Sequence, residues 1–156
     1  MVMLNIGDKA PDFSMPTGKG VDIALAGLKG RFVVLYFYPK DDTPGCTIEA
    51  KEFNDLKPEF EKLGAVIIGV SKDNLDSHEQ FKAKYCLNFD LASDTDSGIC
   101  EKYGVWGEKS MYGKTYMGVN RTTFLIDREG RIAHVWPKVN ANGHAREVLQ
   151  ILKSIA

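Results

Sequence analysis

Phe32-Val33-Val34-Leu35-Tyr36-Phe37-Tyr38 is a continuous run of β-branched, aliphatic and aromatic residues, and Pro39-Lys40-Asp41-Asp42-Thr43-Pro44-Gly45-Cys46 follows it at once. An apolar run without polar alternation is the pattern of a strand buried on both faces, as in a sheet covered by helices. Beyond the turn, apolar residues return at Ala50, Phe53, Leu56, Phe60 and Leu63, a helical spacing that opens at Cys46 and stops at Gly64. Pro58 lies inside that pattern and is expected to kink the helix or divide it into two segments. A lone cysteine therefore stands at the mouth of a helix, where N–H groups lack partners and the helix dipole is positive. A thiol in such a place is favoured as thiolate, the reactive form.

The remaining pattern extends this unit in both directions. Ala65-Val66-Ile67-Ile68-Gly69-Val70 reads as a second buried strand, and residues 76–85 as a helix with His78, Phe81 and Tyr85 on one face. Thr122-Thr123-Phe124-Leu125-Ile126 and Arg131-Ile132-Ala133-His134-Val135-Trp136 read as strands joined by the turn Asp127-Arg128-Glu129-Gly130. From Gly143 a helix carries Val148, Leu149, Ile151, Leu152 and Ile155 as its apolar stripe. The order β-α-β-α, hairpin, α predicts an α/β chain with a mixed central sheet flanked by helices on both faces, the order of a thioredoxin-like fold.

Composition sets the frame for the chemistry. The 156 residues suit one domain spanning 1–156, long enough to bury a core without staples. A net charge of −1 with interspersed signs favours neither nucleic acid nor a membrane surface. The opening residues carry no basic segment followed by a long apolar stretch, so neither a signal peptide nor a spanning helix is expected. Three cysteines at wide spacings make no disulfide framework, and a reducing cytoplasmic location is the expectation.

Several chemistries fail on residue type. Thr43 and Glu49 flank Cys46 at three residues on either side, so no Cys-x-x-Cys pair exists for dithiol exchange. No phosphate-binding glycine loop occurs. A Cys-His hydrolase needs an imidazole base, and His78, His134 and His144 lie in no stretch resembling a catalytic loop. The cysteines and histidines are too scattered to hold a metal, and no cofactor is expected. Peroxide reduction asks for less: a thiolate, hydrogen-bond donors and a fixed cation where charge develops on the leaving oxygen. Thr43 is placed to bring a hydroxyl near Cys46, Pro39 and Pro44 stiffen the loop, and Arg121 at the head of a buried strand is the candidate cation. The product would be a sulfenic acid.

Pro39-x-x-x-Thr43-x-x-Cys46 resembles the active-site signature of the peroxiredoxins. Longer segments are similar to the peroxiredoxin Q group, also called bacterioferritin comigratory proteins, and cover nearly the whole chain. They are residues 7–13 (GDKAPDF), 36–47 (YFYPKDDTPGCT), 103–109 (YGVWGEK), 111–114 (MYGK) and 121–127 (RTTFLID). The resemblance implies a thioredoxin-like fold and thiol-dependent reduction of hydrogen peroxide and organic hydroperoxides, with thioredoxin as the usual reductant and a monomer favoured over a dimer. By position it implies Cys46 as the peroxidatic cysteine, Thr43 and Arg121 as its assistants, Pro39 as a pocket wall and Glu49 as the group that orders the arginine.

The chain departs from that group at the second cysteine. Many members carry a resolving cysteine five residues after the first, where this chain has Lys51; others carry it near the position of Lys82. Here Cys86 lies one turn further along, about 140° around a helical wheel from Phe81 and off the apolar stripe. A resolving thiol and a passive one are both open for Cys86, whereas Cys100 reads as core. Plainer roles stand beside the functional ones: Thr43 as a helix cap, Arg121 as a surface-strand arginine, Glu49 as a complement to the helix dipole. From another class, a sensor or holdase that reports peroxide without turnover would use the same cysteine.

Overall fold

The computed structural model describes residues 4–18 and 21–156; residues 1–3, read above for a leader, lie outside them. The chain opens with the hairpin β1 (Ser14–Pro16) and β2 (Asp22–Ala24), then runs through β3 (Phe32–Phe37), α1 (Pro44–Lys62), β4 (Ala65–Ser71), α2 (Leu75–Tyr85) and β5 (Asp90–Ser93). A single turn, α3 (Ile99–Lys102), and a second hairpin, β6 (Trp106–Met111) and β7 (Lys114–Val119), lead to β8 (Thr122–Ile126), β9 (Ile132–Trp136) and α4 (His144–Ile155). Five strands form one mixed sheet in the order β5-β4-β3-β8-β9. β3, β4 and β5 are parallel, while β8 runs antiparallel to β3 and β9 antiparallel to β8.

Every residue of β3 is buried, and its two faces feed two cores. Phe32, Val34, Tyr36 and Tyr38 pack with Phe53 and Phe60 of α1, Phe81 of α2, and Val148, Leu149 and Leu152 of α4. Val33, Leu35 and Phe37 pack on the other side with Phe13, Met15, Ile99, Tyr103 and Phe124. Both crossovers step the same way along the sheet, β3 to β4 to β5, so right-handed connections put α1 and α2 on one face. The opposite face carries the four-residue α3, the N-terminal hairpin, Trp106 and Val119 of the second hairpin, and loops.

The structure alters some expectations. α1 runs unbroken through Pro58 rather than dividing there. The proline lies within the last turn and a half and removes one N–H bond from a helix that both α4 and β4 hold in place. Ile155, expected on the apolar stripe of α4, is 46% exposed because the helix outruns the core at its final turn. β5 and the β6–β7 hairpin were not anticipated. β5 is only four residues with charged Asp90 at its head, too short to show a period. β6 and β7 place charged residues and glycines where an alternating strand would show apolar ones.

Topology delivers the site. β3 ends at Phe37, opposite Thr122 at the head of β8, so the residue before Thr122 arrives beside the loop that follows β3. Tyr36 supports that end of the sheet by stacking on Phe53 of α1, with centroids 4.8 Å apart. It has room because residue 69 is glycine: a Cβ there would lie 2.8 Å from both the Tyr36 ring and Leu91. Gly69→Ala is therefore expected to destabilise the fold by about 1–3 kcal/mol through overpacking, measured as a lower urea midpoint with unchanged slope.

Candidate active site

The loop after β3 turns at Asp42, which adopts φ 57, and enters α1 through Thr43. Thr43 is extended at the N-cap position and Pro44 takes the first helical position, where its missing N–H costs no hydrogen bond. The first intrahelical bond, from Thr47 N to Thr43 O, begins one residue past Cys46. The N–H of Cys46 thus belongs to the unpartnered set at the helix mouth, and the thiol itself is 1% exposed.

Arg121 completes the arrangement. One guanidinium nitrogen, Nη2, lies 3.2 Å from Cys46 Sγ, and the other, Nη1, donates to Glu49 Oε1 at 2.7 Å. Cys46 and Glu49 are three residues apart on α1, hence on one side of the helix, and the planar fork of arginine spans them. Burial disfavours the arginine's charge, but Cys46 and Glu49 more than offset this and hold Arg121 protonated. Glu49 is fully buried, and burial raises its carboxyl to about 7 against the pull of Arg121. Its second oxygen, Oε2, has no hydrogen-bond partner among the described residues. Gly45 was not singled out from the sequence and matters here. A Cβ on it would come within 3.1 Å of Arg121 Nη2, so the small residue lets the guanidinium lie against the helix mouth.

The other expected residues fall nearby or apart. Thr43 lies one turn before Cys46, but its hydroxyl donates to the Lys40 carbonyl at 2.9 Å. It has one hydrogen, so it does not at the same time donate to the sulfur, and the structure records no side-chain cap from it. Pro39 is half-buried in the same loop. Cys86 is not on the helical wheel at all: it is the C-cap of α2, exposed and left-handed at φ 53, ψ 45. Asn54 of α1 clamps this segment, donating to the Cys86 carbonyl and accepting from Asn88 N. Asn54 stands eight residues along α1 from Cys46, about 12 Å by helical rise. Cys100 is buried, and desolvation and Asp94 push its thiol far up, in keeping with a core role.

None of the histidines pairs with Cys46. His78 is buried against Asp41, and His134 lies against Trp136 at 4.3 Å between ring centroids. His144 bonds Thr123 at 2.8 Å and is pushed down to about 4 by burial and by Arg121, hence neutral. The arrangement is that of a shielded nucleophile with a fixed cation, not of a nucleophile with a base.

The sequence of the AhpC/TSA family matches residues 6–135. Peroxiredoxin Bcp of Bacillus subtilis is 47% identical over 153 residues, covering 98% of each chain, and peroxiredoxin Bcp of Escherichia coli is 44% identical with the same coverage. The bacterioferritin comigratory protein of Xanthomonas campestris, studied for alkyl peroxide reduction, superposes with a TM-score of 0.91 at 42% identity, covering 100% of this chain and 98% of that one. Xylella fastidiosa PrxQ gives 0.93 at 40% identity, covering 99% and 98%. These overlaps establish the thioredoxin-like fold. Among the described residues no helix is long and apolar enough to cross a membrane. Taken with the site geometry, they place this chain in the AhpC/TSA family, among its Bcp (peroxiredoxin Q) peroxiredoxins.

Proposed function

We propose that this chain is a thiol peroxidase in which the Cys46 thiolate attacks the terminal oxygen of a hydroperoxide in line with the O–O bond. Sulfur takes up that oxygen with its hydrogen as a sulfenic acid, the O–O bond breaks, and the other oxygen leaves as alkoxide or hydroxide and is protonated to alcohol or water. The observation that carries this reading is Arg121 bridging Sγ and Glu49 Oε1. Its charge steadies the thiolate before attack, and its N–H groups remain where negative charge develops on the leaving oxygen. Glu49 orders the guanidinium, and Pro39 shields the loop. Thr43 assists through the backbone, since its hydroxyl holds Lys40.

The second half of the cycle assigns Cys86 as the resolving thiol. It displaces hydroxide from the sulfenic sulfur, water leaves, and a Cys46–Cys86 disulfide forms; thioredoxin, as dithiol, reduces it. Cystine geometry needs Cα atoms within about 7 Å, so the first turns of α1 or the end of α2 must come loose. The contacts at that end are of the releasable kind: Asp42 with Lys84 and Tyr85, and Asn54 with Cys86, all at the surface. Cys46, Glu49 and Arg121 come from one chain, which suits a monomer acting in the cytoplasm on hydrogen peroxide and organic hydroperoxides.

Three outcomes follow. One equivalent of peroxide is expected to give a Cys46–Cys86 linked peptide by mass spectrometry, while Cys86→Ser yields a trappable Cys46 sulfenic acid. An unmodified Cys46 overturns the peroxidase reading, and a single turnover with thioredoxin and its reductase favours a sensor. Arg121→Gln is expected to slow Cys46 oxidation about 100-fold in rapid-quench kinetics. Glu49 gives a pH signature. Its folded value of about 7 lies above the ordinary 4.5, so the native state keeps a proton that the unfolded chain has released. Stability therefore falls as pH rises through that window, by about 3 kcal/mol at most. The difference in unfolding free energy between the wild type and Glu49→Gln should carry that slope.

A further inference from the structure

The loop between Tyr38 and the first turn of α1 is tied to α2 through neighbouring aspartates of opposite character. Asp42 is exposed and reaches Lys84 and Tyr85 at the far end of α2. Exposed pairs of this kind hold little. Asp41 is buried, and both its carboxylate oxygens and its backbone N–H are used. Its Oδ1 accepts from Tyr38 Oη at 2.6 Å, and its Oδ2 accepts from Ser77 Oγ and meets His78 Nδ1, each at 2.7 Å. Its backbone N–H donates to Asp73 Oδ2 at 2.8 Å, an oxygen that also accepts from Ser71 Oγ.

His78 is 1% exposed, and its second nitrogen, Nε2, lies 3.0 Å from the Ala92 carbonyl oxygen. The ring thus spans two oxygens, Asp41 Oδ2 on one side and the Ala92 carbonyl on the other. A buried carboxylate with a buried donor ring leaves no substitute partner if either is removed. The pair joins four places: the end of β3 through Tyr38, the β4 end through Asp73 and Ser71, the first turn of α2, and β5 through Ala92. Asp41 stands two residues before the Thr43 N-cap and five before Cys46. The residue beside it, Lys40, offers the carbonyl that holds the Thr43 hydroxyl. The carboxylates of Asp41 and Asp73 also lie with His78 close enough to suggest a metal cluster, but Asp41 and His78 have their atoms committed to the bonds just described.

We propose that His78, acting through Asp41, is a positioning residue for the peroxidase reaction: it fixes the 39–43 loop, and with it the mouth of α1, so that Cys46 and Arg121 meet an incoming peroxide in line. The inference rests on Cys46 as the attacking thiol. His78 touches neither Cys46 nor Arg121, and its effect is on where the loop holds them. The same pair keeps the first turn of α2 in place while the other end, next to Cys86, is free to loosen.

The test compares two reactions of one thiol in the full-length wild type, His78→Gln and Tyr38→Phe. In-line attack on hydrogen peroxide depends on the geometry of the site, whereas alkylation by iodoacetamide needs only an accessible thiolate. Glutamine can satisfy one of the two acceptors but not both, and Tyr38→Phe removes one hydroxyl, with its contacts to Asp41 and His78, at little risk to folding. His78→Gln is expected to lower the rate constant of Cys46 oxidation at least tenfold, and Tyr38→Phe about threefold, with alkylation rates within twofold of wild type. Peroxide rates equal to wild type in the folded variants overturn the inference. So does a parallel fall of both reactions, which would mark a purely structural role. Should His78→Gln fail to fold, Tyr38→Phe decides by the same ratio. A wild-type Cys46 that survives peroxide intact would instead overturn the peroxidase reading beneath it.

Discussion

A guanidinium largely withdrawn from water must have its charge answered, and in this chain the answer is divided between a sulfur and a carboxylate. Arg121 is held by Cys46 and Glu49 from one side of one helix, and each of the three would be costly to bury alone. A fixed cation stands beside the sulfur, and Arg121 keeps its place because Glu49 grips the other half of its fork. Remove the arginine, and a buried carboxylate and a buried sulfur are left side by side on one helix without their shared cation.

The fold is arranged so that this meeting occurs. β3 must be buried on both faces to carry the helix-covered core on one side and the hairpin-covered core on the other. β8 must run antiparallel to it so that its first residues, not its last, lie at the active end. Small residues make the fit possible. Gly69 gives Tyr36 its space under α1, and Gly45 lets the guanidinium rest against the helix mouth. Neither glycine is a turn residue; each is small because something larger has to come close.

The strand of residues 32–37, the helix after it and the thiol at its mouth were legible because each is a local pattern. A single apolar run, a single periodicity and a single cysteine sufficed. Arg121 was legible as a candidate cation at the head of a buried strand, but its union with Glu49 only through resemblance, since nothing in residues 46–49 says which strand will arrive beside them. The partner of the Thr43 hydroxyl was hidden for a related reason. Spacing pointed it toward Cys46, and its one hydrogen goes to the Lys40 carbonyl. His78 could be read as buried from its companions Phe81 and Tyr85, yet its partner lies 37 residues away and carries no periodic mark. Cys86 was assigned to a helix face when it is the residue that ends the helix.

The two aspartates of the active loop also divide its sensitivity to the surroundings. Dissolved ions reach an exposed pair such as Asp42 and Lys84 and weaken it over distances of about 8–10 Å, while a pair sealed in the interior is hardly screened. Ionic strength therefore acts unequally on the proposed cycle. Salt would ease the loosening that brings Cys86 to the oxidised sulfur and leave the attack on peroxide almost untouched. A cell that changes its internal salinity would shift how long the sulfenic acid persists without changing how fast it is made.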